Sequence, residues 1–156
     1  DCLLSRGLGD VYKRQGVDGA FMASNVFGND VSHLTENIQT GDPFLEKLLM
    51  EACCEISEHK LAEGMQDMGA GGLLCASVEI IKRGREKTNK NIGCDIFLDR
   101  VPLKYNMNSC DILISESQER MLIVAQEKNK QEIFDIFNKW DLEYSVVGTT
   151  NKTGYY

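Results

Sequence analysis

Two short polar runs, each set against a predicted strand, constrain this chain more than any other feature of its sequence. The first is residues 66–72 (Gln-Asp-Met-Gly-Ala-Gly-Gly), and the second is residues 115–120 (Ser-Glu-Ser-Gln-Glu-Arg). Both place carboxylate, amide or hydroxyl groups where a strand should begin or end, and a hydrophobic core disfavours such groups. We therefore expect strand ends that carry a site for a phosphorylated, hydrogen-bonding ligand.

Composition places the chain among ordinary globular domains. Its 156 residues, 42% of them hydrophobic and 26% charged, suffice for one domain with a core. The net charge is −7 and the basic residues are scattered, which argues against nucleic-acid binding. No apolar run reaches the roughly 18 residues that a membrane span needs. The six cysteines form no C-x-x-C pair, so we expect free thiols and a cytoplasmic location.

Helical and strand patterns alternate along the chain from residue 41 onward. Asp42 and Pro43 are typical of a helix start, and apolar residues then recur at three- and four-residue steps to about Glu58. Further helices are predicted over 73–81, ended by Gly84, and over 133–140, with a single turn at 111–114. Strands are predicted over 61–67, 92–98, 121–125 and 144–147. This order predicts an α+β fold, in which a mixed, largely antiparallel sheet has its helices packed on one face.

The first 40 residues have no clear periodicity of either kind. Residues 1–15 are expected to be a non-native or disordered lead-in, and residues 16–40, which are rich in Gly, Asn and Ser, are expected to form a loop. The folded domain is therefore predicted to span residues 41–156.

The chemistry of the first run centres on Asp67. Glycine lets a backbone approach a ligand closely, and the start of a helix offers N–H groups to anions. A lone carboxylate beside such a loop suits Mg²⁺, which takes one or two carboxylates plus phosphate oxygens. The alternative is a tight turn between strand and helix, with Asp67 capping the helix.

The second run offers an acceptor, a hydroxyl and an amide in Glu116, Ser117 and Gln118. These groups could bind a ribose, a formamide or an amide, or they could form a polar turn that caps the preceding helix. Gln39 is a loop glutamine, and by itself it indicates no more than an exposed side chain. His33 and His59 have no metal-ligand spacing, and no nucleophile with its base is evident, so no catalytic residue is assigned.

Three motifs in order give the chain a family resemblance. Residues 39–47, 64–73 and 113–122 resemble the synthetase subunit of phosphoribosylformylglycinamidine synthase. The resemblance implies the C-terminal domain of the aminoimidazole ribonucleotide synthetase superfamily. It implies an ATP-dependent carbon–nitrogen ligase of purine biosynthesis that converts formylglycinamide ribonucleotide and ammonia, taken from glutamine, into the amidine.

The resemblance also implies roles for individual residues. Asp67 would bind Mg²⁺, and Gln39, Glu116, Ser117 and Gln118 would bind the nucleotide substrate. ATP would be held mostly by a preceding domain that this chain lacks, with residues 16–40 as the linker from it. The partners would be the rest of the same subunit and a separate glutaminase subunit, and this fragment alone is expected to be inactive.

Two other interpretations stay open. The chain could be a non-catalytic structural module that holds a nucleotide, as the second half of that subunit does. It could also belong to another member of the superfamily, such as aminoimidazole ribonucleotide synthetase or selenophosphate synthetase. The Ser-Glu-Ser-Gln run favours the first resemblance over these.

Overall fold

A computed structural model describes the backbone of residues 2–5 and all of residues 41–103 and 106–156. In these ranges the chain forms five strands and four α-helices. In chain order they are β1 (Cys2–Ser5), α1 (Pro43–Glu58), β2 (Ala62–Asp67), α2 (Gly72–Thr88), β3 (Gly93–Ile96), α3 (Ser109–Ile114), β4 (Met121–Ala125), α4 (Lys130–Lys139) and β5 (Ser145–Asn151). None of the helices within these ranges combines the length and apolar character that a bilayer span requires.

The strands form one sheet in the order β2-β4-β1-β5-β3. Each of the four strand pairs recorded in it is antiparallel. The predicted α+β class with a largely antiparallel sheet is therefore confirmed, and the four recorded pairs include no parallel one.

The prediction that the helices pack on one face of the sheet is wrong, and strand β4 shows why. Ile123 and Ala125 belong to a core with buried residues of α1 and α4, whereas Leu122 and Val124 belong to a second core with α2 and α3. Alternate residues of a strand point to opposite faces, so the helices cover both faces. A strand buried on both sides reads as one apolar run, as residues 121–125 do.

Helix α1 begins where the sequence predicts. The Asp42 carboxylate accepts hydrogen bonds from the backbone N–H groups of Phe44 (3.1 Å) and Leu45 (3.0 Å), and Pro43 occupies the first turn. These bonds satisfy donors that the helix itself leaves unpaired. The residues that start this helix are adjacent in the sequence, so the sequence alone was enough to predict where the helix begins.

Helix α2 is longer than predicted. It continues through Gly84 to Thr88, and Asn89 ends it in the left-handed conformation (φ 53°). A glycine ends a helix only where the backbone turns to positive φ, and Asn89 supplies that turn instead. Arg85 and Lys87 lie in the last turn, where positive charge is favourable.

Strand β1 was not predicted. Cys2–Ser5 lies between β4 and β5 and pairs with both, with a register shift between Leu3 and Leu4. Four residues are too few to show a period, and the pairing comes from distant strands. The expectation of a disordered lead-in therefore does not hold at Cys2–Ser5, and the foreign origin of residues 1–15 stays a prediction.

Candidate functional site

The two polar runs meet at one end of the sheet. Strands β2 and β4 are antiparallel neighbours, with Asp67 paired to Met121, so the end of β2 lies beside the start of β4. One residue further, the Met68 N–H donates a hydrogen bond to the Arg120 carbonyl oxygen (3.1 Å). The pairing therefore joins segments that are about fifty residues apart in the chain.

The glycine loop of the first run packs against the second run. The Gly71 N–H donates a hydrogen bond to a carboxylate oxygen of Glu116 (3.0 Å). Gly72 has φ 57°, and a Cβ atom built on it would lie 2.2 Å from the Ser115 carbonyl oxygen. Only glycine fits there, because both the positive φ and the close backbone approach exclude a side chain.

A cavity of about 530 Å³ opens where the runs meet. Its lining includes Asp67, Gly69, Gln118 and Glu119 from the two runs, and Glu46 from helix α1. Helix α1 also contributes Leu49, Met50 and Cys53 to the lining. A cavity of this size and mixed lining is typical of a small-molecule site.

The structure brings Asp67 and Gln118 together, since both are exposed and both line this cavity. Glu116 is half-buried, and its carboxylate holds the glycine loop. Ser117 is 6% exposed, with its hydroxyl 2.9 Å from that of Ser115. Of these three side chains, only Gln118 lines the cavity with its amide. The Glu116 carboxylate and the Ser117 hydroxyl contact other groups of the protein. Gln39 lies outside the described residues.

Sequence reasoning missed Glu119 and Arg120. A Glu119 carboxylate oxygen accepts the Asp42 N–H (3.0 Å) and so ties the start of α1 to the second run. Arg120 is 8% exposed, and burial lowers the pKa of its guanidinium to about 10. No local pattern marks these residues, because their partners depend on the tertiary fold.

The donor set at Asp67 fits Mg²⁺ that is held mainly by water and phosphate. Its exposed carboxylate accepts a hydrogen bond from the Gln66 amide (3.0 Å) and keeps further oxygen capacity. Among the described residues no three His, Cys, Asp or Glu side chains converge as metal ligands. Mg²⁺ usually takes one or two carboxylates together with waters and phosphate oxygens, and a single exposed carboxylate is compatible with that coordination.

Fold and site together define the class. The profile of the family described as "AIR synthase related protein, C-terminal domain" matches residues 7–156, and the chain belongs to this family. The match starts at residue 7, so it includes part of the segment 1–15 that was expected to be a non-native or disordered lead-in.

Within that class the chain is similar to one enzyme subunit. Phosphoribosylformylglycinamidine synthase subunit PurL of Anaeromyxobacter dehalogenans (strain 2CP-C) is 45% identical over 142 residues, which are 90% of this chain and 18% of that protein. The same subunit of Rhodopseudomonas palustris (strain BisB18) is 43% identical over 147 residues, 94% of this chain and 19% of that protein. The predicted resemblance is confirmed, and the chain spans about a fifth of the length of these relatives.

The chain is also similar to solved structures of the same subunit and of the same fold. Thermotoga maritima PurL complexed with FGAR superposes with a TM-score of 0.79 at 40% identity, covering 96% of this chain and 23% of that chain. The same protein complexed with ATP gives a TM-score of 0.71 at 37% identity, over 96% and 21%. A HypE–HypF complex gives a TM-score of 0.64 at 14% identity, over 98% and 47%, which shows a shared fold alone.

Proposed function

We propose that this chain is part of the synthetase subunit of an ATP-dependent carbon–nitrogen ligase. The complete enzyme would convert formylglycinamide ribonucleotide and ammonia into formylglycinamidine ribonucleotide in purine biosynthesis. The observation that carries the proposal is the cavity that joins Asp67 to Gln118, in a chain similar to a PurL that binds FGAR.

In this proposal each polar group has a task. Asp67 would hold Mg²⁺, which neutralises charge on a phosphoryl group in transfer. The Gln118 amide can both donate and accept hydrogen bonds, which suits an amide-bearing substrate. Glu116 and Ser117 would shape the backbone around that substrate, and Gln39 would contact it from the preceding loop. Phosphoryl transfer depends mainly on position and charge, so such a site needs no nucleophile from the protein.

The remaining parts of the reaction lie beyond this domain. ATP would be held mostly by another domain of the same subunit, and ammonia would come from glutamine through a separate glutaminase subunit. One solved relative is PurLQS from Thermotoga maritima, with a TM-score of 0.71 at 38% identity, and complexes of T. maritima PurL with ATP, ADP and AMPPCP also match. A cytoplasmic location is part of the proposal.

The second candidate is a non-catalytic module that holds a nucleotide structurally. The exposed Asp67 carboxylate and Gln118 amide in one cavity favour the catalytic role, because together they offer groups for a metal-bound phosphate and for an amide-bearing substrate. Hydrogen exchange of the full-length subunit, with and without Mg²⁺ and substrate, discriminates between the two. A catalytic domain should gain protection at residues 66–72 when both are added, and a structural module should show no change.

The experiment that tests the proposal compares the full-length subunit with its Asp67→Asn variant. With ammonia, ATP and Mg²⁺ we expect the variant to lose about 100-fold or more in kcat/KM, since a metal clamp contributes several kcal/mol to the transition state. The matched control is Asp99→Asn, which removes an exposed carboxylate from the 3₁₀ turn Leu98–Arg100. Equal activity of the two variants would contradict the assignment.

The isolated chain gives a further test. Without the ATP-binding domain it should form no amidine under the same conditions. Amidine formation above the no-protein blank would show that residues 1–156 suffice, and would overturn the division of the site between two domains.

A further inference from the structure

The second polar run is held in place by its own last residue. The Nε of Arg120 donates a hydrogen bond to the Ser117 carbonyl oxygen (2.9 Å), and its Nη2 donates to the Ser115 carbonyl oxygen. The guanidinium therefore spans the backbone on both sides of Glu116. Because guanidinium is planar and its donors are fixed in a fork, two carbonyl contacts define the path of that backbone.

The same residue also fixes the first polar run. Its backbone carbonyl accepts the Met68 N–H, one position beyond Asp67. The backbone that its side chain holds also carries Glu116, whose carboxylate accepts the Gly71 N–H. Through these hydrogen bonds, Arg120 connects the Asp67 strand end, the glycine loop and the segment that carries Gln118.

The environment of Arg120 differs from that of a surface arginine. It is 8% exposed, and among the residues the structure describes no carboxylate forms a salt bridge with it. A buried cation is costly unless hydrogen bonds compensate it, and here backbone carbonyls do so. If this residue served only to stabilise the fold, an apolar residue of similar volume would do so with a smaller desolvation penalty.

We propose that Arg120 is a positioning residue that sets the relative placement of Asp67 and Gln118 across the cavity. It acts through the backbone of residues 115–118 and of Met68. Its loss should misplace both groups together, and therefore weaken metal and substrate binding in parallel. The ligand part of this inference rests on the proposed function, whereas the structural part does not.

The test variant is Arg120→Lys in the full-length subunit. Lysine keeps the positive charge, but its compact ammonium does not reproduce the two-pronged fork. Arg85→Lys is the matched control. Arg85 also donates from Nε and Nη2 to two backbone carbonyls, those of Ile92 and Gly154 (2.6 Å for the second). It does so beside β3, at the opposite edge of the sheet from β2.

Two measurements are compared between these variants. The first is hydrogen exchange without ligands. Arg120→Lys should speed exchange of the Met68 and Gly71 amides about tenfold or more, and Arg85→Lys should leave them unchanged while speeding exchange around residues 92–96. The second is steady-state turnover, in which Arg120→Lys should raise KM for substrate and for Mg²⁺ about tenfold each, since small misplacements carry large costs. Arg85→Lys should leave both KM values within twofold of the wild type.

The outcomes separate this inference from the proposed function. If the wild type shows no turnover, the proposed function fails, and the exchange measurement alone decides the role of Arg120. The inference would be overturned if the Met68 and Gly71 amides of Arg120→Lys exchanged at the wild-type rate. It would also be overturned if the KM values of Arg120→Lys were no higher than those of Arg85→Lys. If Arg120→Lys does not fold, Arg120→Gln, which keeps one donor group, is measured by the same criteria.

Discussion

At the scale of single residues, two glycines on the same helix have opposite requirements. Gly72 has φ 57°, and an added Cβ would lie 2.2 Å from the Ser115 carbonyl oxygen. Gly84 lies inside α2, and an added Cβ would meet only Ile92 Cδ1, at 3.7 Å. The first is required by the contact between the two polar runs, and the second is an ordinary helical position.

This contrast gives a matched pair of variants. Gly72→Ala should lower the free energy of unfolding by about 2 kcal/mol or more, through backbone strain and the clash. Gly84→Ala should raise it by roughly 0.5–1 kcal/mol, because alanine is the better helix former. Urea unfolding of the two variants measures both changes. A neutral Gly72→Ala would mean that the loop relaxes away from Ser115.

The residues of the site could be predicted only in part. Asp67 and Gln118 could be singled out because each lies in a dense polar run beside a predicted strand, and these runs also carry the family resemblance. The contacts of Glu116 with Gly71 and of Glu119 with Asp42 join residues 45 and 77 positions apart. No local period encodes such separations, so the roles of Glu119 and Arg120 emerge only from the fold.

At the scale of elements, α1 and α4 are joined by a polar cluster at the edge of their shared core. Glu55 accepts hydrogen bonds from Lys139 Nζ (2.9 and 2.8 Å) and from the Trp140 indole N–H (2.8 Å). The hydrogen bond with Lys139, followed by that with Trp140, lowers the pKa of Glu55. The carboxylate is therefore favoured in its charged form when the chain is folded.

The sign of the pH dependence follows from that direction. A carboxyl group with a lowered pKa in the folded state stabilises the fold above its unfolded pKa, and the contribution is lost as the pH falls through the folded value. Glu55→Gln should therefore be less stable than the wild type at pH 7, and the difference should shrink below about pH 4. Urea unfolding at pH 7 and pH 3 measures it. Glu58→Gln, on the same helix, is the control. If Glu55→Gln lowered the free energy of unfolding equally at both pH values, the predicted pH dependence would be contradicted.

The elements themselves were largely predictable where their signals are local. The Asp42–Pro43 start placed α1, and the apolar run at 121–125 placed β4. That run also held the information that the sheet is covered on both faces, since neither face of β4 is polar. The order of the strands was not predictable, because β4 pairs with β1 and β2, and both pairings depend on contacts between distant segments.

At the scale of the whole molecule, the sheet separates two cores and also joins them. Phe137 is buried in the core under α1 and α4, and Leu73 is buried in the core under α2 and α3. Strand β4 supplies alternate residues to each, so its backbone cannot unfold from one core while it remains ordered in the other. We therefore expect the two cores to unfold as one cooperative unit.

The single tryptophan reports on this coupling from one side. Trp140 packs against the core of α1 and α4, whereas Leu73→Ala removes about 2–5 kcal/mol from the opposite core. If the cores are coupled, Leu73→Ala must shift the urea transition seen by Trp140 fluorescence as far as the one seen by far-UV circular dichroism. Leu103→Ala, at an exposed position, should shift neither by more than about 0.5 kcal/mol. A fluorescence transition that stays at its wild-type midpoint, while the circular dichroism transition moves, would mean that the two cores unfold independently even though strand β4 contributes residues to both.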